Sequence, residues 1–372
     1  MLILYSQLYA NECHNGFINS SSRATGQLAW SKPIAALSGG KAEARTLLSA
    51  GDIILVEGKS KIFAFNKEAR YLWQRSKWYG TPVTLRNGLV YYTSAVRKTR
   101  MEAVDLNNQI QMEDFWIPDV GDDAYLVLFE PFQKGLIAQV QYRPVDPEEK
   151  PGFIVYKIRQ SSPGYDWSKS YENEQSHLSP VINLGKRLLV TTTKKEVLVF
   201  NTDSRDQEPE PLARFSLPLG DGTIWVSCGA DGSLYWSGVE KGIAVLAATD
   251  SNGDKKWRWQ AGLRLGPERS KPVAPPIVTP DRVFLLTKKN LFVVKDGRLL
   301  WSFEAKEANF TSGTALADGS ILIAEGNTLH RLNAQGNSLF QASINEVIVT
   351  PPVIDGEGNI YVASPETLYA FH

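Results

Sequence analysis

The chain repeats itself, and that repetition limits its fold more than any other feature. One unit runs Arg298-Leu-Leu-Trp301-Ser-Phe, Thr314-Ala-Leu-Ala-Asp318-Gly319, Ser320-Ile-Leu-Ile-Ala and Thr328-Leu-His-Arg-Leu-Asn333. The next runs Asn337-Ser-Leu-Phe340, Pro352-Val-Ile-Asp355-Gly356, Asn359-Ile-Tyr-Val-Ala and Thr367-Leu-Tyr-Ala-Phe371. Each holds four short apolar runs rich in β-branched and aromatic residues, divided by turns of the Asp-Gly or Asn-Gly kind. That is the pattern of a four-stranded antiparallel meander.

A second regularity fixes the period. An Asn or Asp ending the third strand precedes an aromatic in the fourth by seven residues: Asn66 and Trp73, Asp250 and Trp257, Asn333 and Phe340. Asp105 and Met112 form a weaker copy. Gly253, Gly297 and Gly336 stand in the intervening turns, where a positive φ suits the hairpin. The anchors are Trp30, Trp73, Met112, Trp167, Phe215, Trp257, Trp301 and Phe340, at a mean interval of about 44 residues. Eight anchors predict an all-β, eight-bladed β-propeller over 1–372 as a single domain. Seven blades would follow if the region around 120–175 were an insertion.

The two ends fit closure. The last copy stops after its third strand, and Trp30 stands in a fourth strand that lacks a third. Residues 26–34 are therefore expected to complete the last blade, after a lead-in of residues 1–25. The predicted blade bodies are 44–76, 78–116, 123–172, 176–217, 221–260, 270–304, 309–343 and 346–372 with the N-terminal strand.

Composition narrows the function. Of 372 residues, 43% are hydrophobic and 22% charged, with forty Lys+Arg against forty Asp+Glu. This is a globular balance, not that of a disordered chain, and it carries no basic excess for nucleic acid. No apolar stretch reaches the length of a membrane helix. Met1 to Ala10 is apolar but lacks a basic start, so it makes a poor signal peptide.

Familiar chemistry is sparse. His14, His177, His330 and His372 have no zinc spacing, and the two cysteines, Cys13 and Cys228, form no CxxC motif. Ser38-Gly-Gly-Lys41 lacks the Gly and Ser/Thr positions of a phosphate loop. Cys228 lies in Ile224-Trp-Val-Ser-Cys228 and reads as a small buried hydrophobe. No catalytic, cofactor or metal residues are assigned.

The irregular stretches are more informative. Residues 143–177 lengthen blade 3 and residues 202–211 lengthen blade 4, and both are read as extended loops projecting from one face, where such folds bind partners. Tyr165, Trp167 and Tyr171, with Lys169 and Glu172 beside them, have the composition of an interface hot spot.

Gly26-Gln-Leu-Ala-Trp30, Asp296-Gly-Arg-Leu-Leu-Trp301 and Asn359-Ile-Tyr-Val-Ala-Ser resemble repeats of the pyrroloquinoline-quinone (PQQ) propeller family. Thr81-Pro-Val, Ser179-Pro-Val, Pro275-Pro-Ile and Thr350-Pro-Pro-Val resemble the first strand of that repeat. The resemblance implies that Trp30, Trp73, Trp257 and Trp301 dock neighbouring blades. One branch of the family holds PQQ and calcium in dehydrogenases marked by adjacent cysteines, which this chain lacks. The other branch is non-catalytic and includes an outer-membrane assembly scaffold lipoprotein of about this size. The resemblance thus implies a monomeric scaffold, without a cofactor, that binds a protein, peptide or carbohydrate in the periplasm or at the cell surface. A small quinoprotein dehydrogenase or glycan-acting enzyme is the alternative.

Overall fold

The structure, a computed structural model, describes residues 17–34, 42–79, 81, 83–86, 88–96, 100–106, 111–116, 124–132, 135–142, 152–159, 165–172, 182–184, 186–191, 196–219, 224–262 and 266–372. Its strands form eight sheets, and the fold is an eight-bladed β-propeller. Blade 1 spans 46–76, blade 2 83–116, blade 3 124–172 and blade 4 182–216. Blade 5 spans 225–260, blade 6 277–304, blade 7 310–343, and blade 8 353–371 together with 28–33. One helical turn, Pro267–Ser270, precedes blade 6. The region around 120–175 is a complete sheet, so the count is eight and not seven.

Two compact units divide these blades. Residues 76–217 carry blades 2 to 4, and residues 8–75 with 218–372 carry blades 1 and 5 to 8.

Stacking of sheets explains the continuous apolar runs. Successive side chains on a strand point to opposite faces, so a strand between two sheets is apolar on both. In strand Ile321–Glu325, Ile321 and Ile323 join the core shared with blade 6, while Leu322 and Ala324 join the core shared with blade 8. In strand Ile360–Ala363, Ile360 and Val362 face blade 7, and Tyr361 and Ala363 face blade 1. Fourth strands differ: Leu28–Pro33 and Arg298–Glu304 alternate between exposed and half-buried residues, as strands at an outer edge do.

The repeated Asn and Asp are hairpin caps. Asn66 Oδ1 accepts the amides of Glu68 (3.2 Å) and Arg70 (2.8 Å), and Asn333 Oδ1 those of Gln335 (3.0 Å) and Asn337 (2.9 Å). Asp250 Oδ1 does the same for Asn252 and Asp254. The side chain mimics a backbone turn and starts the hairpin that leads to the anchor.

Anchors lock onto the following blade. Trp301 Nε1 donates to Ala334 O (2.9 Å) in the third-to-fourth turn of blade 7, and Trp30 Nε1 donates to Lys67 O (3.0 Å) in the same turn of blade 1. The turn glycine fits beneath the ring. A Cβ on Gly336 (φ +86) would stand 2.8 Å from the Trp301 ring, and one on Gly26 (φ +88) 2.6 Å from Phe340. Trp257 packs against Gly297 in the same way. Trp73 is buried, at 4% exposure.

Both chain ends build blade 8. Leu28–Pro33 pairs antiparallel with Thr367–Phe371, so Leu28 faces Phe371 and Pro33 faces Thr367. Phe17–Ile18 pairs parallel with the first strand of blade 7 and makes that sheet five-stranded. Buried Arg331 then fastens the strap that follows. It donates to Ser22 O (2.6 Å), Ala24 O (3.2 Å), Ser320 Oγ (3.2 Å) and Asp318 Oδ2 (2.7 Å). Ala317 N donates to Ser20 O (2.8 Å), and Ser22 Oγ reaches Gly358 O. Burial would raise the Asp318 carboxyl, but hydrogen bonds from the Ser320 hydroxyl and amide, with the Arg331 charge, hold it below its usual value.

Candidate functional site

Part of the region read as an extended loop at 143–177 is strand. Gly152–Arg159 and Tyr165–Glu172 are the third and fourth strands of blade 3, and 143–151, 160–164 and 173–181 lie outside the described residues. Trp167 was expected both as a fourth-strand anchor and as a loop contact; the polar sequence suits either, since an outer strand needs no apolar alternation. Nor do the long connections share one face. In an antiparallel meander the second-to-third link leaves one end of the sheet and the third-to-fourth link leaves the other. Tyr142 and Gly152 accordingly lie at one end of blade 3, and Arg159 and Tyr165 at the other.

Tyr165, Trp167 and Tyr171 consequently lie on an edge strand. Tyr165 is 41% exposed and meets Tyr156 edge-on at 5.4 Å. A bulge places Tyr165 opposite Ile158 and Trp167 opposite Lys157, which breaks the two-residue alternation between the two aromatics. The side chains of Trp167 and Tyr171 lie outside the described set.

The blade 4 segment 202–211 is a loop, as expected, and it closes on that strand. Ser168 N donates to Gln207 O (2.8 Å), and Lys169 Nζ pairs with Glu210 Oε1. The hydrogen bond and charge of Lys169 lower the Glu210 carboxyl below its usual range. The loop is shaped by its own caps, with Asn201 Oδ1 accepting Asp203 N (2.9 Å) and Ser204 Oγ accepting Asp206 N (3.2 Å). It thus covers part of an edge that would otherwise offer unpaired backbone.

A second feature was not foreseen. Where blades 6 and 7 meet, a cleft of about 120 Å³ opens between the link 305–309 and the Glu325-to-Thr328 turn of blade 7. Glu325 Oε1 accepts the successive amides of Glu307 (2.7 Å) and Ala308 (3.1 Å), holding the link down. His330 Nε2 lies 3.1 Å from Glu325 Oε2, and both side chains are more than nine-tenths buried. Geometry leaves that nitrogen without an aligned hydrogen bond. Phe303 stacks edge-on against the imidazole at 5.6 Å. Burial pushes the His330 pKa down, and the Glu325 charge offsets only part of that. Burial acts on Glu325 in the upward direction, but the two amides and His330 hold it below its usual value. Glu325 and His330 belong to one hairpin, five residues apart, and nothing in the sequence indicates that the preceding blade supplies the other wall.

Cys228 is fully buried, as expected, but it is disulfide-bonded and not a free hydrophobe. The sequence holds one other cysteine, Cys13. Among the described residues no three His, Cys, Asp or Glu side chains are placed to hold a metal ion. No helix among them is long and apolar enough to cross a membrane.

Comparison with known proteins agrees with this architecture. Residues 291–372 match a PQQ-repeat family model described as outer membrane protein assembly factor BamB. No curated protein sequence matches the chain. BamB from Moraxella catarrhalis superimposes with a TM-score of 0.61 at 12% identity, covering 93% of this chain and 99% of that one. The quinohemoprotein alcohol dehydrogenase ADHIIG from Pseudomonas putida HK5 gives 0.64 at 9% identity, covering 98% and 80%. Sqt1 from Saccharomyces cerevisiae gives 0.62 at 9% identity, covering 89% and 99%. At such identities the likeness is one of fold, and function must be argued from the site. The chain is an eight-bladed β-propeller similar in fold to BamB, and its residues 291–372 resemble the PQQ repeat.

Proposed function

We propose that this propeller is a non-catalytic scaffold of the cell envelope that binds a protein partner along the outer edge of blade 3. The observation that carries the reading is the edge strand Tyr165–Glu172, with an exposed aromatic at its start and the blade 4 loop hydrogen-bonded to its middle. The loop covers the middle of this edge, and the part it leaves uncovered, beginning at Tyr165, offers side chains and backbone groups to an incoming chain. Tyr165, Trp167 and Tyr171 are the proposed contact residues, and a peptide or carbohydrate would be met by the same aromatic chemistry. Trp30, Trp73, Trp257 and Trp301 are assigned to blade docking and not to ligand.

Envelope residence is supported by likeness to an outer-membrane assembly factor and by the bonded state of Cys228, since disulfides persist in oxidising compartments. A monomer is proposed, because the two strands that complete blade 8, Leu28–Pro33 and Thr367–Phe371, come from one chain. PQQ and calcium form no part of the proposal.

Two measurements test it. Purified protein and its Tyr165→Ala, Tyr171→Ala variant are used to capture partners from an envelope extract, with thermal unfolding as the folding control. Loss of a specific partner in the folded variant supports the blade 3 edge, and unchanged capture refutes it. Titration with PQQ, with and without calcium, is followed by tryptophan fluorescence and calorimetry. Saturable binding tighter than about 10 μM, roughly −7 kcal/mol, would overturn the non-catalytic reading.

A further inference from the structure

We propose that the cleft between blades 6 and 7 is a binding site for a primary ammonium or guanidinium group, received by the buried carboxylate of Glu325. The inference is independent of the blade 3 edge.

Its basis is an incomplete neutralisation. Glu325 Oε1 is engaged by the amides of Glu307 and Ala308. Oε2 faces His330 Nε2 at 3.1 Å, and that buried nitrogen has no aligned hydrogen bond. Burial keeps the imidazole neutral near pH 7, so the carboxylate retains its charge beside an uncharged ring. A buried charge is stable when a partner of opposite sign completes it. The charged groups facing His330 are Glu325 from its own hairpin and Lys306 and Glu307 from the link. Lys306 and Glu307 are both exposed at the rim and offset one another, which leaves Glu325 as the interior charge.

The remaining walls suit a cation rich in N–H groups. Half-buried Phe303 offers an aromatic surface. Asn327 Nδ2 donates to Ile344 O (2.8 Å), while its Oδ1 accepts the Thr328 hydroxyl at 3.4 Å and has a second lone pair to offer at the cleft wall it shares with Gln341. A cleft of about 120 Å³ admits such a head with a short alkyl stem and excludes bulky groups.

Two cations can neutralise Glu325, the bound ligand or a proton on His330, and they oppose each other. Binding therefore weakens as acid charges the imidazole.

The probes are agmatine and the peptide amide Gly-Arg-Gly, with n-pentanol and acetate as controls, read by calorimetry and by the ring resonances of His330. The expected result is saturable binding of a guanidinium probe at pH 7.5, at least tenfold weaker in Glu325→Gln and several-fold weaker at pH 5.5. If Glu325→Gln loosens the link, Phe303→Leu is expected to weaken binding and His330→Asn to retain it without the pH dependence. Peptide binding without agmatine binding identifies a partner's side chain as the source, and the reverse identifies a free amine. Equal binding of n-pentanol or acetate, an unmoved His330 resonance, or no binding of either probe overturns the proposal.

Discussion

Replacing Gly336 with alanine tests the inter-blade lock directly. Two costs combine. The backbone sits at φ +86, where a side chain costs about 1 kcal/mol relative to glycine. The new Cβ would also stand 2.8 Å from Trp301 Cδ2 and Cε3, well inside ordinary carbon contact at about 3.6 Å. The indole cannot retreat freely. Moving it loosens the bond to Ala334 O, worth about 1 kcal/mol. It also disturbs the edge-on contact with Phe284, worth about 0.5–1.5 kcal/mol. The expected loss is about 3 kcal/mol in urea unfolding. Gly232→Ala is the matched control, because Gly232 has φ +77 with open space around its Cβ position, and it should lose about 1 kcal/mol. In the Trp301→Leu background the steric cost disappears, so the double variant should be about 1–2 kcal/mol less destabilised than the sum of the singles. A Gly336→Ala loss equal to that of Gly232→Ala, or strict additivity with Trp301→Leu, would refute the reasoning.

Two further predictions concern the strap and the disulfide. Arg331→Met removes four hydrogen bonds from a buried guanidinium and should cost about 3 kcal/mol, with faster amide exchange at Ala24 and Ala317 in the folded protein; unaltered exchange there would show that the strap holds without it. Reduction of the protein, or Cys228→Ser, should lower stability by about 2–5 kcal/mol, and an unfolding midpoint indifferent to reductant would remove the disulfide as support for an oxidising compartment.

What the sequence disclosed and what it hid have physical reasons. Asn333 and Phe340 were legible because a capped hairpin fixes their spacing within one blade. Leu28–Pro33 was legible because a fourth strand lacking a third must find one elsewhere. Tyr165–Glu172 was read in two ways, as the strand of the anchor Trp167 and as part of a loop, because an edge strand has only one neighbour and its polar residues look like a loop. The second role of Gly336, making room for Trp301, needed the adjacent blade to be seen. Glu325 and His330 were passed over for the same reason, since the link they meet comes from another blade. The bonding of Cys228 left no local trace, because its only possible intrachain partner is more than two hundred residues away.

The pairing of Leu28 with Phe371 also sets a schedule for synthesis. The two residues are separated by more than three hundred others, so at about 5–20 residues per second the first strand waits roughly 20–70 s for its partner to emerge. Throughout that interval an outer strand without a sheet coexists with freshly made blades. Each of those already supplies its own fourth strand, which occupies the edge the early strand would otherwise take. Blade 8 is thus completed from two strands made far apart in time. A ribosome pause or an early release would leave blades 1 to 7 formed and one edge open, a species that chaperones and proteases would recognise and the finished protein would not contain.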